Sequence, residues 1–482
     1  MTSPEASLTL IAPELFVVAT ALVVLMADLW LAPRRRDVLI GAALVGLFGA
    51  GAAVALVPPG VAFAGLYVRD GLTRATQGLA LAVTALGVLI APEYLRRARL
   101  ERGEYYMLVL TAGVGAMLMA ASRDLLMLFL ALETLSIPLY VLAATGRGSV
   151  RAQEAGMKYF LLGAFASAFF LYGVALLYGA TGTTRLPDIG RALIQTPAST
   201  GTAAGVGLLT IGLAFKAALV PFHTWAPDVY DGAPMPTAAF LSVIAKVGAF
   251  AALLRVFPLT MSALAVQWSL MLGILAALTM IIGNLAALTQ SSYKRLLAYS
   301  SIAHTGYAMV GVATGTPDAV SAVMSYLVVY AAMTLGAFGV AVAMERGGEE
   351  ADRIEDYAGL AVRAPLLAAA SAAFMVSLAG LPPTGGFMVK LAIFTAAIAS
   401  GGPLGLALAI IGVATSVVSV YYYLRVPYLM YAGEPPAGVR LHASPLLTLA
   451  VLAAAVVVLH TGILPAAVTA FAQQVGVLVG RP

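Results

Sequence analysis

Cysteine is absent from the 482 residues, and histidine occurs only four times. Without thiolates the chain cannot ligate an iron–sulfur cluster in the usual way, close a disulfide or present a thiol nucleophile. Four scattered histidines do not compose a transition-metal centre either. Charge is equally thin. Charged side chains are 10% of the chain and hydrophobic ones 61%, where a soluble globular protein carries roughly 25% charged residues. That excludes a soluble enzyme of this size, a disordered chain and a nucleic-acid-binding protein. No nucleotide-, flavin- or cluster-binding motif is visible, and no soluble domain fits in the short connections.

What remains is a series of apolar runs. A helix needs about 20 predominantly apolar residues to cross a bilayer, and fourteen such runs can be read. The first is Leu8–Leu31, the fifth Leu125–Ala144, the seventh Ala203–Val229 and the eighth Met235–Phe257. The tenth is Tyr293–Thr314 and the twelfth Ala364–Ser400. The first run has no basic residue ahead of it and is too long for a signal-peptide core, so it is expected to stay in the mature protein. The reading is an all-α polytopic membrane protein.

Lysine and arginine give the orientation. Seventeen of them lie near loops after odd-numbered runs, including Arg34–Arg36, Arg96, Arg97, Arg99, Arg102, Arg147 and Lys294. Seven lie on the opposite side, Arg69, Arg74, Arg123, Arg185, Arg191, Arg255 and Arg481. The positive-inside rule makes the richer side cytoplasmic and sends both termini outward. Lys294, at the loop-side end of its run, is expected to be exposed.

Three basic residues remain, all lysines. The chain has five lysines against twenty-two arginines, and Lys216, Lys246 and Lys390 lie inside apolar runs. Lys246 follows Pro234 by twelve residues, which at about 1.5 Å per residue brings it near the midplane. A cation there costs at least about 2.5–3.5 kcal/mol. A structural ion pair or a snorkelling side chain is the bland explanation. It does not account for the choice of lysine, whose pKa burial moves easily, over arginine, which stays charged. A buried lysine can load and release a proton.

Glu133, eight residues into the fifth run, is a buried carboxylate expected to act as counter-ion and to tune one of these lysines. Glu14 and Asp28 in the first run are less telling; Asp28 lies near Arg34–Arg36 and reads as an interfacial anchor. Pro221 falls five residues after Lys216, and Pro382 and Pro383 fall just before Lys390, followed by Gly385 and Gly386. Proline frees the carbonyl four residues earlier, which for Pro221 is that of Ala217. Bare backbone at membrane depth is tolerated only where protein or water surrounds it. The breaks are five runs apart, which pairs runs four to eight with runs nine to thirteen as two inverted five-helix repeats. The chain then divides into a three-helix segment (1–103), a first repeat (104–258), a second, inverted repeat (259–431) and a C-terminal helix (432–482). His304, near mid-depth with Ser300, Ser301, Thr305 and Tyr307 around it, is a candidate proton relay, and His223 after Pro221 a second one.

These residues resemble the antiporter-like membrane subunits of respiratory complex I, the proton-translocating NADH:quinone oxidoreductase, and among them subunit N, the subunit-2 type. The densest stretches are ETLSIPLYVLAA (133–144), GLAFKAALVPFHTWAPDVYDGAP (212–234), SYKRLLAYSSIAHTGYAMVG (292–311) and LAGLPPTGGFMVK (378–390). The resemblance implies fourteen helices with two inverted five-helix repeats, broken helices 7 and 12, and a proton path through half-channels. It implies an ion pair between Glu133 and Lys216, a central Lys246 and a terminal Lys390. It also implies a bacterial inner membrane and neighbouring membrane-arm subunits as partners. Cofactors are expected in those partners (NADH, flavin, iron–sulfur clusters and quinone) and none in this chain. The M-type sibling typically carries glutamate where this chain has Lys390, and the L-type continues into further helices where this sequence ends at Pro482. A multisubunit Na+/H+ antiporter subunit is the main rival, and a purely structural scaffold, which leaves the lysines without purpose, is the third reading.

Overall fold

Backbone amides in hydrocarbon have no water to pair with, and a helix satisfies them within one segment. The apolar runs accordingly fold as helices. The computed structural model of the chain describes residues 4–32, 35–146, 148–195 and 199–477. Arg34, Arg147 and Arg481, counted above for orientation, lie outside the described residues. The helices begin with α1 (Pro4–Leu10), α2 (Ala12–Asp28), α3 (Asp37–Leu56), α4 (Gly71–Arg97), α5 (Gly103–Ala121), α6 (Leu125–Ala143) and α7 (Val150–Thr181). They continue with α8 (Leu186–Gln195), α9 (Thr200–Ala217), α10 (Trp225–Gly232), α11 (Met235–Val256), α12 (Ala265–Leu288), α13 (Tyr293–Thr314) and α14 (Pro317–Val342). The last are α15 (Leu360–Arg363), α16 (Pro365–Ala379), α17 (Gly385–Ala399), α18 (Pro403–Ala432), α19 (Pro445–Ile463) and α20 (Ala466–Gly476).

Eleven helices among the described residues are long and apolar enough to cross a membrane, and α16 and α17 are shorter apolar helices. The first expected run is divided at Ile11, just ahead of Pro13, whose missing amide hydrogen cannot continue the ladder. α13 falls short on hydropathy for a different reason. Serine, histidine, threonine, lysine and arginine dilute it, and nearly all of its residues are buried. Protein surrounds this helix, so it has no need to be apolar. α11 is likewise enclosed along its whole length, and α14 almost so.

Salt bridges and short strands tie the loops into two groups. At the arginine-poor end β1 (Gly60–Ala62) and β2 (Tyr67–Arg69) form a hairpin, Tyr67 bridges to Ser122, and Asp124 to Arg185. Arg255 reaches Asp70 at 2.8 Å there. Burial works against the Asp70 carboxylate, but the Arg255 guanidinium outweighs it and holds the group below its usual range. At the arginine-rich end β3 (Met344–Arg346) pairs with β4 (Glu349–Glu350) and β5 (Val439–Leu441). Arg97 lies 3.4 Å from Glu345. Asp28 accepts from Arg36 at 3.0 Å and from the Gly103 amide at 2.9 Å, an anchor of the kind expected. Lys294 corrects the sequence reading. It is buried, 2.6 Å from Glu350 and 2.9 Å from the Ala233 carbonyl.

Candidate functional site

Lys216, Lys246 and Lys390 are 2%, 3% and 4% exposed, so none of them snorkels. Lys294 meets a carboxylate; among the described residues these three do not. An ion pair is the ordinary way to keep a buried cation, and here hydroxyls, carbonyls and aromatic faces take its place. Each such site stabilises the charge less than a carboxylate would.

Lys216 stands in the last turn of α9, where Ala218 in left-handed backbone ends the helix. Its ammonium donates to the Tyr159 hydroxyl at 3.3 Å and lies over the rings of Tyr140 and Tyr159 at 5.6 and 5.3 Å. Tyr159 is itself stacked on Trp225, 4.4 Å between centroids. Glu133 on α6 is half-buried and accepts from Ser167 of α7. The expected direct Glu133–Lys216 ion pair is therefore absent from this arrangement. The carboxylate accepts from Ser167 and the ammonium donates to Tyr159 instead. Beside Lys216 lies a cavity of about 10 Å³, lined also by Ser136 and by Ser167, the partner of Glu133, close to the room one water needs. The carbonyl of Ala217, freed by Pro221, is not bare. Thr305 of α13 donates to it at 3.0 Å, and Trp225 donates to Phe215 at 3.0 Å.

Lys246, midway along α11, donates to Ser301 Oγ at 2.5 Å and to the Ser242 carbonyl at 3.4 Å. Ser301 is a junction. Tyr330 donates to it at 2.8 Å, and Tyr230 lies at 3.2 Å. Lys390 occupies the second break, between α16 and α17, and here the lysine itself satisfies the open backbone. Its ammonium takes the carbonyls of Leu378 and Ala379, each at 3.1 Å, at the negative end of the α16 dipole. The Tyr307 ring lies 4.6 Å below it. The X–Pro bonds Val220–Pro221 and Pro382–Pro383, one in each break, are cis.

His304 is buried, with Nδ1 2.5 Å from the Tyr326 hydroxyl and Nε2 3.2 Å from that of Tyr423. It stands between the surroundings of Lys246 and Lys390. His223 does not join them. It is half-buried in the first break, and its Nδ1 has no hydrogen-bond partner among the described residues. One helix, α13, touches each centre: Thr305 the first break, Ser301 Lys246, and Tyr307 Lys390.

The sequence marked the cations and, beside His304, Ser301, Thr305 and Tyr307, but not the remaining tyrosine hydroxyls. Tyr159, Tyr230, Tyr326, Tyr330 and Tyr423 sit in helices where an aromatic residue is ordinary core, and nothing local marks them. Unmarked too is the acidic foot of α10, where Asp228 meets Lys158 at 3.0 Å and Arg295 at 3.1 Å, and Asp231 meets Arg151 at 2.7 Å. Among the described residues no group of His, Cys, Asp and Glu could hold a metal ion.

Residues 122–419 match the family described as NADH:quinone oxidoreductase/Mrp antiporter, TM. The chain is 43% identical to NADH-quinone oxidoreductase subunit N of Trichlorobacter lovleyi, over 97% of this chain and 96% of that one. It is 42% identical to the subunit N of Chloroflexus aggregans, over 100% and 99%. A chain in the structure of respiratory complex I from Thermus thermophilus with bound aureothin matches it with TM-score 0.82 and 38% identity, over 95% of this chain and 98% of that one.

Proposed function

The chain belongs to the NADH:quinone oxidoreductase/Mrp antiporter membrane family, with the subunits N of NADH-quinone oxidoreductase, and from that premise we propose how its buried residues carry protons. It is a membrane-arm subunit of a proton-translocating oxidoreductase, and its partners are other membrane-arm subunits of that complex. The reading of its site rests on one observation: three buried ammoniums whose hydrogen-bond partners are all neutral.

Each lysine is a loading site. Protonated, it is held by hydroxyls, carbonyls and rings; neutral, it leaves no carboxylate stranded. Glu133 sets how readily Lys216 holds its proton, acting from beside Ser167 and not by contact. Ser301 and Tyr330 carry hydrogen bonding away from Lys246, and His304 with Tyr326 and Tyr423 continues toward Lys390. Among the described residues no hydrogen bond joins Ser301 to His304, so passage needs a water or a turn of the Tyr330 ring at that point. Moving one charge through 100 mV costs about 2.3 kcal/mol. We assign that drive to electron transfer in partner subunits, with NADH, flavin, clusters and quinone bound there, since this chain has no cysteine to ligate a cluster. Fourteen spans, two inverted five-helix repeats and a cytoplasmic arginine-rich end in a bacterial inner membrane complete the proposal. Two broken helices, each with a lysine at the break, support the repeats.

The test is Lys216→Ala in the assembled complex, with proton ejection per NADH oxidised measured in vesicles. The proposal expects proton yield to fall while this subunit is still incorporated. Unchanged yield would remove Lys216 from the path.

A further inference from the structure

At the arginine-poor end lies a cavity of about 540 Å³, within the range of ligand sites. Its walls come from the β1–β2 hairpin, the turn between α5 and α6, helix α8 and the end of α11. Arg123, Arg191 and Arg255 line it together with Asp70, and Leu186 and Ile194 are among its apolar residues.

The three guanidiniums are not equivalent. Arg255 is already engaged, donating to both oxygens of Asp70 at 2.8 and 2.9 Å and to the Ala120 carbonyl at 2.6 Å. Arg191 meets Asp188 but is largely exposed. Arg123 has no side-chain hydrogen bond or ion pair among the described residues. Its backbone, by contrast, is fixed on both sides: its amide donates to Leu66 at 2.8 Å and its carbonyl accepts from Leu186 at 3.0 Å. An arginine on fixed backbone, its side chain without a partner among the described residues, faces a cavity whose one lining carboxylate among those residues is already taken.

α8 supplies the second half of the site. Leu186, Ile189 and Leu193 point inward, while Ile194 is 70% exposed and Arg191 stands out beside it. A short helix with one apolar face, an exposed isoleucine and a basic side chain is suited to the boundary between headgroups and acyl chains. Arginine is the side chain best matched to a phosphate, through paired N–H donors.

We propose that this cavity binds a phosphate group on Arg123 and Arg191, and that the group is the headgroup of an anionic phospholipid whose acyl chain runs along the exposed Ile194. The bound lipid would tie α8 to the hairpin and the end of α11, away from the lysine path.

The intact oxidoreductase complex, stripped of lipid in detergent, provides the test. Phosphatidylglycerol, phosphatidylcholine and inorganic phosphate are added separately, and retained lipid is counted by native mass spectrometry alongside the thermal midpoint. The expected result is a rise in midpoint with phosphatidylglycerol alone, and at least fivefold less of it retained by Arg123→Gln. Should Arg123→Gln fail to assemble, exposed Arg191→Gln carries the same comparison. An equal rise with inorganic phosphate keeps the phosphate site but overturns the lipid as its source. Equal retention of phosphatidylcholine and phosphatidylglycerol, or no difference between wild type and both variants, overturns the site.

Discussion

A methyl group on Gly380 would lie 2.8 Å from Cδ of Lys390 and 3.0 Å from its nitrogen, in backbone at φ +81°. Left-handed backbone costs a non-glycine residue roughly 1–2 kcal/mol, and the lysine must also move off the Leu378 and Ala379 carbonyls. Gly380→Ala should therefore lower the thermal midpoint and reduce proton yield together. An unchanged yield would mean that the capped position of Lys390 carries no function. Glu133→Ala removes a carboxylate that touches Ser167 and no lysine, so assembly should survive and pumping should fall. Normal pumping by that variant would sink its tuning role. The lysines were legible in the sequence because five stand against twenty-two arginines and three fall in apolar runs. Their pairing with partners was not, although Ser301 and Tyr307 stood out beside His304. Tyrosine and serine are unremarkable in a buried helix, and only their meeting in space makes them ligands of a cation.

At the scale of elements, proline announced both breaks, and with them the open carbonyl of Ala217. What satisfies it was hidden, because Thr305 lies 88 residues further along the chain. Thr305→Val leaves that carbonyl buried without its donor, a loss of about 1–3 kcal/mol. The variant should show a lowered midpoint that Thr305→Ser restores. Equal midpoints for the two would mean that water serves the carbonyl instead. α13 also explains why its hydropathy misled: a helix enclosed by others answers to its neighbours and not to lipid. α8 and the division at Ile11 escaped the sequence reading through shortness, since a ten-residue amphipathic helix falls below the length of any span.

For the whole molecule, the gathering of loops into two ends follows from chain passage, while their sidedness rests on the arginine count. Ala98, exposed among Arg96, Arg97 and Arg99, offers a labelling site in a chain without cysteine. Ala98→Cys should resist an impermeant thiol reagent added to intact cells and react in inverted vesicles. Labelling from outside would reverse the orientation. Buried lysines that exchange protons behave differently from ones that merely hold charge, and Lys246→Arg separates the two. Arginine retains the positive charge, but with a pKa above about 12 it releases no proton. Lys158→Arg, at a partly exposed site already paired with Glu154 and Asp228, controls for the larger side chain and should be mild. The decisive measurement is NADH-driven acidification of inverted vesicles, normalised to assembled complex. Lys246→Arg is expected to assemble yet pump as poorly as Lys246→Ala; full pumping by Lys246→Arg would leave Lys246 an electrostatic role alone.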